Sequence, residues 1–376
     1  RYLWNTSLSY SFFQKRMKSK HWILMIILLA IANCYFYNPF QLYFLNDDFL
    51  HIPLTANGIL FQQRSIRPIH ELLVRLDLLL WNKQAFGFHL TALILHFIVA
   101  FELFFVAKII FEKLFQNNAA QSIQLSYFSV ALFLCYPQHA ESLAWILGRT
   151  PVLATIFFLP VVILFFTEKK SWKTYTIALI LYLLTLFTYE QSVLFPVILF
   201  LLILMEKDTL NRKEKIVFVV IITVATLFYI IARKLITTEI AGKYEAGNFT
   251  SFQLTALLNN LYKFAARLML NPINQPKVFF IYSVLFLLAV AIVFAWQRKK
   301  ILQLPVIVIL LSIAILLLPV VSLGITIRSY ESGRYLYQPS IFLAILLAYL
   351  FSLIKNNYLK FSLIIVLVIY WGIGKI

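Results

Sequence analysis

Runs of about 20 apolar residues, separated by short polar breaks, recur along the whole chain, and each is long enough for a helix to cross the hydrocarbon of a bilayer. They fall at roughly 21–38, 86–107, 122–138, 150–167, 174–189, 191–206, 216–236, 278–297, 302–322, 336–354 and 360–376. A chain of this kind folds as an all-α polytopic membrane protein, because only helices and closed barrels satisfy backbone polar groups inside lipid. With 62% apolar and 13% charged residues, against about 45–50% and about 25% in soluble domains, a soluble enzyme is excluded.

The formal net charge of +18 would suggest a nucleic-acid partner in a soluble protein. Here Lys and Arg sit in short clusters between apolar runs, where they set orientation and touch anionic headgroups, so no nucleic-acid partner is expected. With the N-terminus inside, Lys15/Arg16/Lys18/Lys20, Lys108/Lys113, Lys169/Lys170/Lys173, Lys207/Arg212/Lys213/Lys215, Arg298/Lys299/Lys300 and Lys355/Lys360 share one side. The opposite, outer side then receives Asp47, Asp48, Glu71, Asp77, Glu141, Glu190, Glu239, Glu245 and Glu331. Acids contribute little to orientation, and chemistry on the outer face is one explanation of their bias.

Cys34 and Cys135 lie inside apolar runs, so neither a disulfide framework nor a zinc site is available. The chain starts at Arg1 and its last apolar run stops at Ile376, which suggests residues missing at one or both ends. The first run follows basic residues as in a signal peptide, but no small-residue cleavage site follows it, and it reads as an uncleaved span.

Two outer loops, 39–85 and 237–277, exceed simple connectors, and each carries an amphipathic helical pattern expected to lie in the membrane interface. Ile69, Leu72, Leu73, Leu76, Leu79 and Leu80 make the first stripe; Leu254, Leu257, Leu258, Leu261, Ala265 and Leu268 make the second. Neither a soluble domain nor a repeat of fixed period is visible.

Four constellations carry candidate chemistry. Asn46-Asp47-Asp48 follows the first span; its acids could supply a general base, hold a divalent cation, or form a solvated loop. In an extended segment adjacent side chains face opposite ways, so one of the two is expected to enter a pocket, with Asp48 preferred as base. Tyr136 to Arg149 holds His139, Glu141 and Arg149 at a membrane border, either as site residues or with Glu141 and Arg149 as a helix-end ion pair. Glu190 sits at a hairpin between two apolar spans, as a site acid or a structural hydrogen-bonding group. Arg334, between Gly333 and Tyr335, suits a phosphate that it can grip bidentately, while Tyr335 and Tyr337 read as interfacial anchors. His89 and His96 share a helix face without a third ligand at suitable spacing, and His96 reads as a packed helix residue. No Walker loop or dinucleotide fingerprint appears.

Asp47-Asp48, Arg67-Pro68, the run Asn82 to His96, Pro137-Gln138-His139-Ala140-Glu141 through Gly148-Arg149, Glu190-Gln191, and Arg334 to Ser340 resemble, in that order, the large-loop glycosyltransferases of the GT-C fold. They are most similar to the protein O-mannosyltransferase-like group whose members often carry tetratricopeptide repeats, of which this chain has none. The resemblance implies one GT-C-like transmembrane domain over residues 1–376 with about 11 transmembrane helices. It also implies inverting transfer of a sugar from a polyprenyl-phosphate donor to a hydroxyl of a protein or glycan on the outer face. Asp47 or Asp48 is then the base. Arg334, Arg149 and Arg267, with the outer-loop Arg67 and His70, are candidates for the donor phosphate, and His139, Glu141 and Glu190 shape the pocket. No cofactor is required, although a divalent cation on Asp47/Asp48 is compatible. Membrane lipids and membrane-complex subunits are the remaining expected partners, in a bacterial inner membrane with the site facing the periplasm. This chain departs from the group's pattern at Thr150-Pro151, where a carboxylate often follows the Gly-Arg, and at Tyr189, where a Lys often precedes the Glu. A catalytically silent GT-C-like subunit or a lipid-linked-sugar transporter is the alternative implied by those departures.

Overall fold

The structure is a computed structural model, and it describes residues 19–57, 67–166, 171–205, 209–237, 254–286, 288 and 302–373. Among these residues every regular element is helical. In chain order they are α1 (Ser19–Phe36), α2 (Asp48–Ala56), α3 (Pro68–Trp81), α4 (Ala85–Lys113), α5 (Ala119–Cys135), α6 (Ala140–Ala144), α7 (Thr150–Phe165) and α8 (Trp172–Leu186). They continue as α9 (Phe195–Ile203), α10 (Thr209–Thr237), α11 (Leu254–Arg267), α12 (Pro276–Phe286), α13 (Leu304–Leu317), α14 (Tyr337–Ser352) and α15 (Asn357–Ile373).

Among the described residues, four helical stretches are long and apolar enough to cross a bilayer: Ala85–Lys113, Leu147–Phe165, Arg212–Ile236 and Gly333–Ser352. A fifth arises if Ala119–Cys135 and Pro137–Ala144, bent by 54°, form one broken span. The bend is written in the sequence. Pro137 disfavours the helical region for its predecessor, and Tyr136 sits at φ −68°, ψ 122°. Six shorter apolar helices of 10–17 residues accompany these. The expected count of about eleven is reached only by counting each of them as a crossing. The chain is a multi-pass integral membrane protein. Of the basic clusters expected inside, Lys15/Arg16/Lys18, Lys169/Lys170, Lys207 and Arg298/Lys299/Lys300 lie outside the described residues, as do 58–66 and 238–253 of the two outer loops.

The core runs through the bundle centre, where α4 packs against α5 and α7, and α14 against α5 and α13. Val99, Leu103, Ile110, Phe158, Ile341 and Phe342 are all buried there. A smaller cluster of Ile52, Val74, Phe88 and Ile146 joins α2, α3, the start of α4 and the turn before α7. Burying such side chains contributes about 1.5–3 kcal/mol each, which seats the first outer loop on the bundle.

Both expected amphipathic helices form, as α3 and α11. Their leucines point away from the protein: Leu72, Leu76, Leu79 and Leu80 on α3, and Leu254, Leu258 and Leu261 on α11 are exposed. Their inward faces instead carry His70, Val74 and Asp77, and Phe264, Ala266 and Arg267. A helix with leucines outward and charges inward belongs where its surroundings are less polar than its contact face, as at a membrane interface.

Lys83, exposed between α3 and α4, and Lys213, exposed at the start of α10, are predicted to lie on opposite sides. In a Cys34→Ser/Cys135→Ser background, a membrane-impermeant maleimide added to intact cells should label Lys83→Cys, and Lys213→Cys only after permeabilisation. Equal labelling of both would overturn the topology.

Candidate functional site

Asp48, Arg67, Glu141, Arg149, Glu190 and Arg334 lie on or beside α2, α3, the broken helix after α5, the turn before α9 and the turn before α14, while Arg267 ends α11. Pro68 at the first helical position of α3 leaves Arg67 outside the helical region at φ −125°, ψ 56°. Arg67 reaches across to the turn Glu190–Leu194, donating from Nη2 to Glu190 Oε1 at 2.6 Å and from Nε to Oε2 at 3.0 Å. Arg233 of α10 lies 3.9 Å from the same carboxylate, so Glu190 is shared by two guanidinium groups. Arg334 pairs with Glu141: its Nη1 donates to Oε1 at 3.0 Å and its backbone N–H to Oε2 at 2.8 Å. Its guanidinium lies over the rings of Trp145, at 4.7 Å, and Tyr335, at 5.0 Å. Gly333 permits this turn, since a Cβ there would sit 3.0 Å from the Gln138 carbonyl oxygen. Both pairs keep partial contact with solvent: the Arg67 side chain is 28% exposed and that of Arg334 is 25% exposed.

Arg149 and Arg267 behave differently. Arg149 is fully buried, bonded to Asp77 of α3 and to the Phe88 carbonyl oxygen at 3.2 Å. Arg267 is equally buried and donates to the carbonyl oxygens of Thr326 and, at 2.8 Å, Ser329, and to Gln138 Oε1. Neither guanidinium reaches solvent, unlike those of Arg67 and Arg334. A cation without solvent contact needs permanent partners, and these two brace the outer loops. The alternative Glu141–Arg149 pair is also replaced. Trp145 is extended at φ −113°, ψ 121°, which breaks the helical spacing between the two residues, and they pair instead with Arg334 and Asp77.

Asp47 and Asp48 face opposite environments, but not because the segment is extended. Asp47 is already in the helical region, φ −67°, ψ −10°, at the start of α2. Asp48 is fully buried, and its carboxylate accepts backbone N–H bonds from Leu45 at 3.0 Å, Leu147 at 3.1 Å and Ile146 at 3.3 Å. Burial pushes its pKa up, opposed by these N–H groups and by the Arg149 charge. Asp47 is exposed. Both Asp48 oxygens face N–H donors, Oδ1 that of Leu147 and Oδ2 those of Leu45 and Ile146.

His70 is buried on the inner face of α3, with Nε2 3.3 Å from the Ile146 carbonyl oxygen. Burial, and then the charges of Arg149 and Arg67, hold its pKa well below the usual histidine value. A neutral imidazole brings one N–H donor and no charge, so any contact of His70 with a phosphate would be a hydrogen bond and not an ion pair. His139 is buried against Phe133, Tyr136 and Tyr337, with Nε2 2.9 Å from Ser340 Oγ. His96 packs beside it, with Nδ1 2.8 Å from the Tyr337 hydroxyl. Asp77, Trp145 and His89 were not among the expected site residues. His89 spans from the Tyr43 carbonyl oxygen at 3.2 Å to that of Leu143 at 3.4 Å, tying the first loop to α6. A signal for Asp77 did exist. It lies seven residues after His70, on the face of α3 that the leucine stripe leaves free.

No family model matches the chain. It is similar to the protein O-mannosyl-transferase TMTC1 of Mus musculus, 33% identical over 96 residues, which is 26% of this chain and 9% of that protein. It is also similar to the protein O-mannosyl-transferase TMTC3 of Homo sapiens, 30% identical over 125 residues, 33% of this chain and 12% of that protein. The chain thus matches about a tenth of the length of these curated relatives. Among solved structures, the crystal structure of ArnT from Cupriavidus metallidurans in the apo state superposes with a TM-score of 0.51 at 12% identity, over 92% of this chain and 62% of that one. The fold is the GT-C fold that the sequence motifs resemble.

The buried Arg149–Asp77 pair yields a stability prediction. Arg149→Met leaves a buried carboxylate without its cation and is expected to cost about 3–5 kcal/mol, whereas Arg149→Met combined with Asp77→Leu should cost much less. Yields of monodisperse protein and unfolding temperature in detergent check this; a double variant as impaired as the single one would mean that the pair is not the brace described.

Proposed function

We propose that the protein transfers a sugar, mannose being the first to try, from a polyprenyl-phosphate donor to a hydroxyl of a protein or glycan, with inversion. The reading places the site on the outer face of the membrane, facing the periplasm of a bacterial cell, with residues 1–376 acting as one GT-C-like unit. The observation that carries it is the pair of half-buried ion pairs, Arg67–Glu190 and Arg334–Glu141, on the same side as the Asp47–Asp48 turn. The likeness to ArnT and to the O-mannosyl-transferases supports it.

In this mechanism the acceptor oxygen attacks the anomeric carbon while a carboxylate removes its proton. The bond from that carbon to the phosphate oxygen breaks, and polyprenyl phosphate departs with the electron pair. Negative charge grows on the leaving phosphate, so positioned guanidinium groups lower the barrier. Arg67 and Arg334 are the candidates, because each holds its carboxylate on one edge and keeps contact with solvent. Asp47 is the proposed base, in place of the expected Asp48: a base must meet the acceptor, and Asp48 is enclosed by three N–H groups. Asp48 holds the first loop on the 146–147 turn and so orients Asp47. No step passes through a metal ion. Lipids of the outer leaflet are the expected surroundings of α3 and α11, and contacts with other membrane subunits are compatible with the exposed helices.

Asp47→Asn should lower transfer about 10²–10⁴-fold with unchanged unfolding temperature, while Asp48→Asn should lower the unfolding temperature as well. Transfer from a polyprenyl-phosphate hexose to a serine- or threonine-containing peptide, measured by mass spectrometry, reads the first effect. Full activity in Asp47→Asn would remove it as base, and no transfer by the unmutated protein across a broad donor panel would favour a silent subunit.

A further inference from the structure

Tyr189 stands between the two ion pairs. It is extended, φ −153°, ψ 113°, immediately before the turn that carries Glu190, and is 3% exposed. The Arg67 guanidinium lies over its ring, 5.7 Å from the centroid. Tyr335, Arg334, Arg67 and Glu190 all act on it electrostatically. The next turn is tied down on both sides, because Gln191 Nε2 donates to the carbonyl oxygens of Leu316 and, at 3.0 Å, Tyr335. The segment that carries the buried phenol is thus anchored to two neighbouring elements.

Despite this setting, the Tyr189 hydroxyl has no hydrogen-bond partner among the described residues. A buried hydroxyl left unpaired costs about 1–3 kcal/mol, and such a group persists where something else supplies its partner. Its neighbours define the chemistry of that missing partner. Two guanidiniums bias the space toward an anion, and a phenolic O–H can only help an anion by donating to it. A carboxylate side chain is not the answer, since Glu190 and Glu141 are already engaged by Arg67 and Arg334.

We propose that the Tyr189 hydroxyl is a ligand-binding donor that accompanies Arg67 and Arg334 in holding an oxygen of a lipid-linked phosphate. The assignment rests on the preceding functional reading and adds a third, uncharged contact to it. A neutral donor has a specific use there. It contributes hydrogen bonding without adding a third cation, so the phosphate is held in orientation as well as attracted by charge. Removing the hydroxyl alone should then weaken the phosphate complex and leave the empty protein intact.

Tyr189→Phe is the test, because it deletes one oxygen and keeps the ring beneath Arg67. With the full chain in detergent, farnesyl phosphate is the probe and farnesol the control without phosphate, each titrated against intrinsic tryptophan fluorescence. Tyr189→Phe is expected to bind farnesyl phosphate about tenfold more weakly, to treat farnesol as the unmutated protein does, and to unfold at the same or a higher temperature without ligand. Unchanged farnesyl phosphate affinity would overturn the proposal and leave the functional reading standing. A markedly lower unfolding temperature without ligand would also overturn it, because the hydroxyl would then serve the fold. Failure of the unmutated protein to bind farnesyl phosphate would overturn both. Farnesyl phosphate binding that depends on Tyr189, in a protein inactive with every donor, would uphold the anion site and remove the transferase reading alone.

Discussion

A charge moved out of water must be neutralised close by, and in this protein that constraint decides where the outer loops go. Three guanidinium–carboxylate pairs join segments far apart in the chain: Arg149 with Asp77, Arg67 with Glu190, and Arg334 with Glu141. Each ties an outer element to a span or to a turn between spans. Lipid-facing leucines could not do this, because apolar surface gains little by choosing one apolar neighbour over another in a bilayer. Ion pairs and backbone hydrogen bonds supply the specificity that hydrophobic contact cannot.

The orientation of α3 and α11 follows from the same constraint. In a water-soluble domain each would turn its leucines inward; here the leucines are exposed and Asp77 and Arg267 are buried against the protein. The polar face of each interfacial helix is thereby delivered to the place where the spans end. Asp77 meets Arg149 there, and Arg267 clamps the carbonyl oxygens that precede the Arg334 turn. A site at a membrane surface is in this way assembled from groups that the bilayer would reject anywhere else.

Much of this was legible in the residues. Apolar run length marked the spans, Pro137 marked the break in the fifth helix, and the leucine spacing marked α3 and α11. That Glu141, Glu190 and Arg334 would sit in the turns at helix ends was also legible, because charged groups between apolar runs have few other places to go. The pairing was not. Arg67 and Glu190 are separated by 123 positions and Arg334 and Glu141 by 193, and no local rule couples them. Sequence alone treats Arg149, Arg267 and Arg334 alike, since burial distinguishes them only once neighbouring helices are in place. The two aspartates show the same limit at shorter range: adjacent and chemically identical, they part only because the N–H groups of Ile146 and Leu147 arrive beside one of them.

The difference between the two kinds of arginine bears on chemistry as well as on stability. A guanidinium has five N–H donors, and one enclosed by protein presents no edge to solvent. Arg149 and Arg267 are of this kind: both are fully buried, with their Nη groups on protein acceptors and each Nε without a partner among the described residues. Arg67 and Arg334 each meet a carboxylate along one edge and stack on aromatic rings, which fixes their planes while leaving solvent contact. Their carboxylates lower the desolvation cost of keeping two cations near a membrane in the absence of substrate. Under the proposed function the same carboxylates would temper the attraction for a phosphate, so that favourable binding would not become too tight for its release. An ion pair that is open on one side thus reconciles two demands that a bare arginine and a buried one each fail to meet.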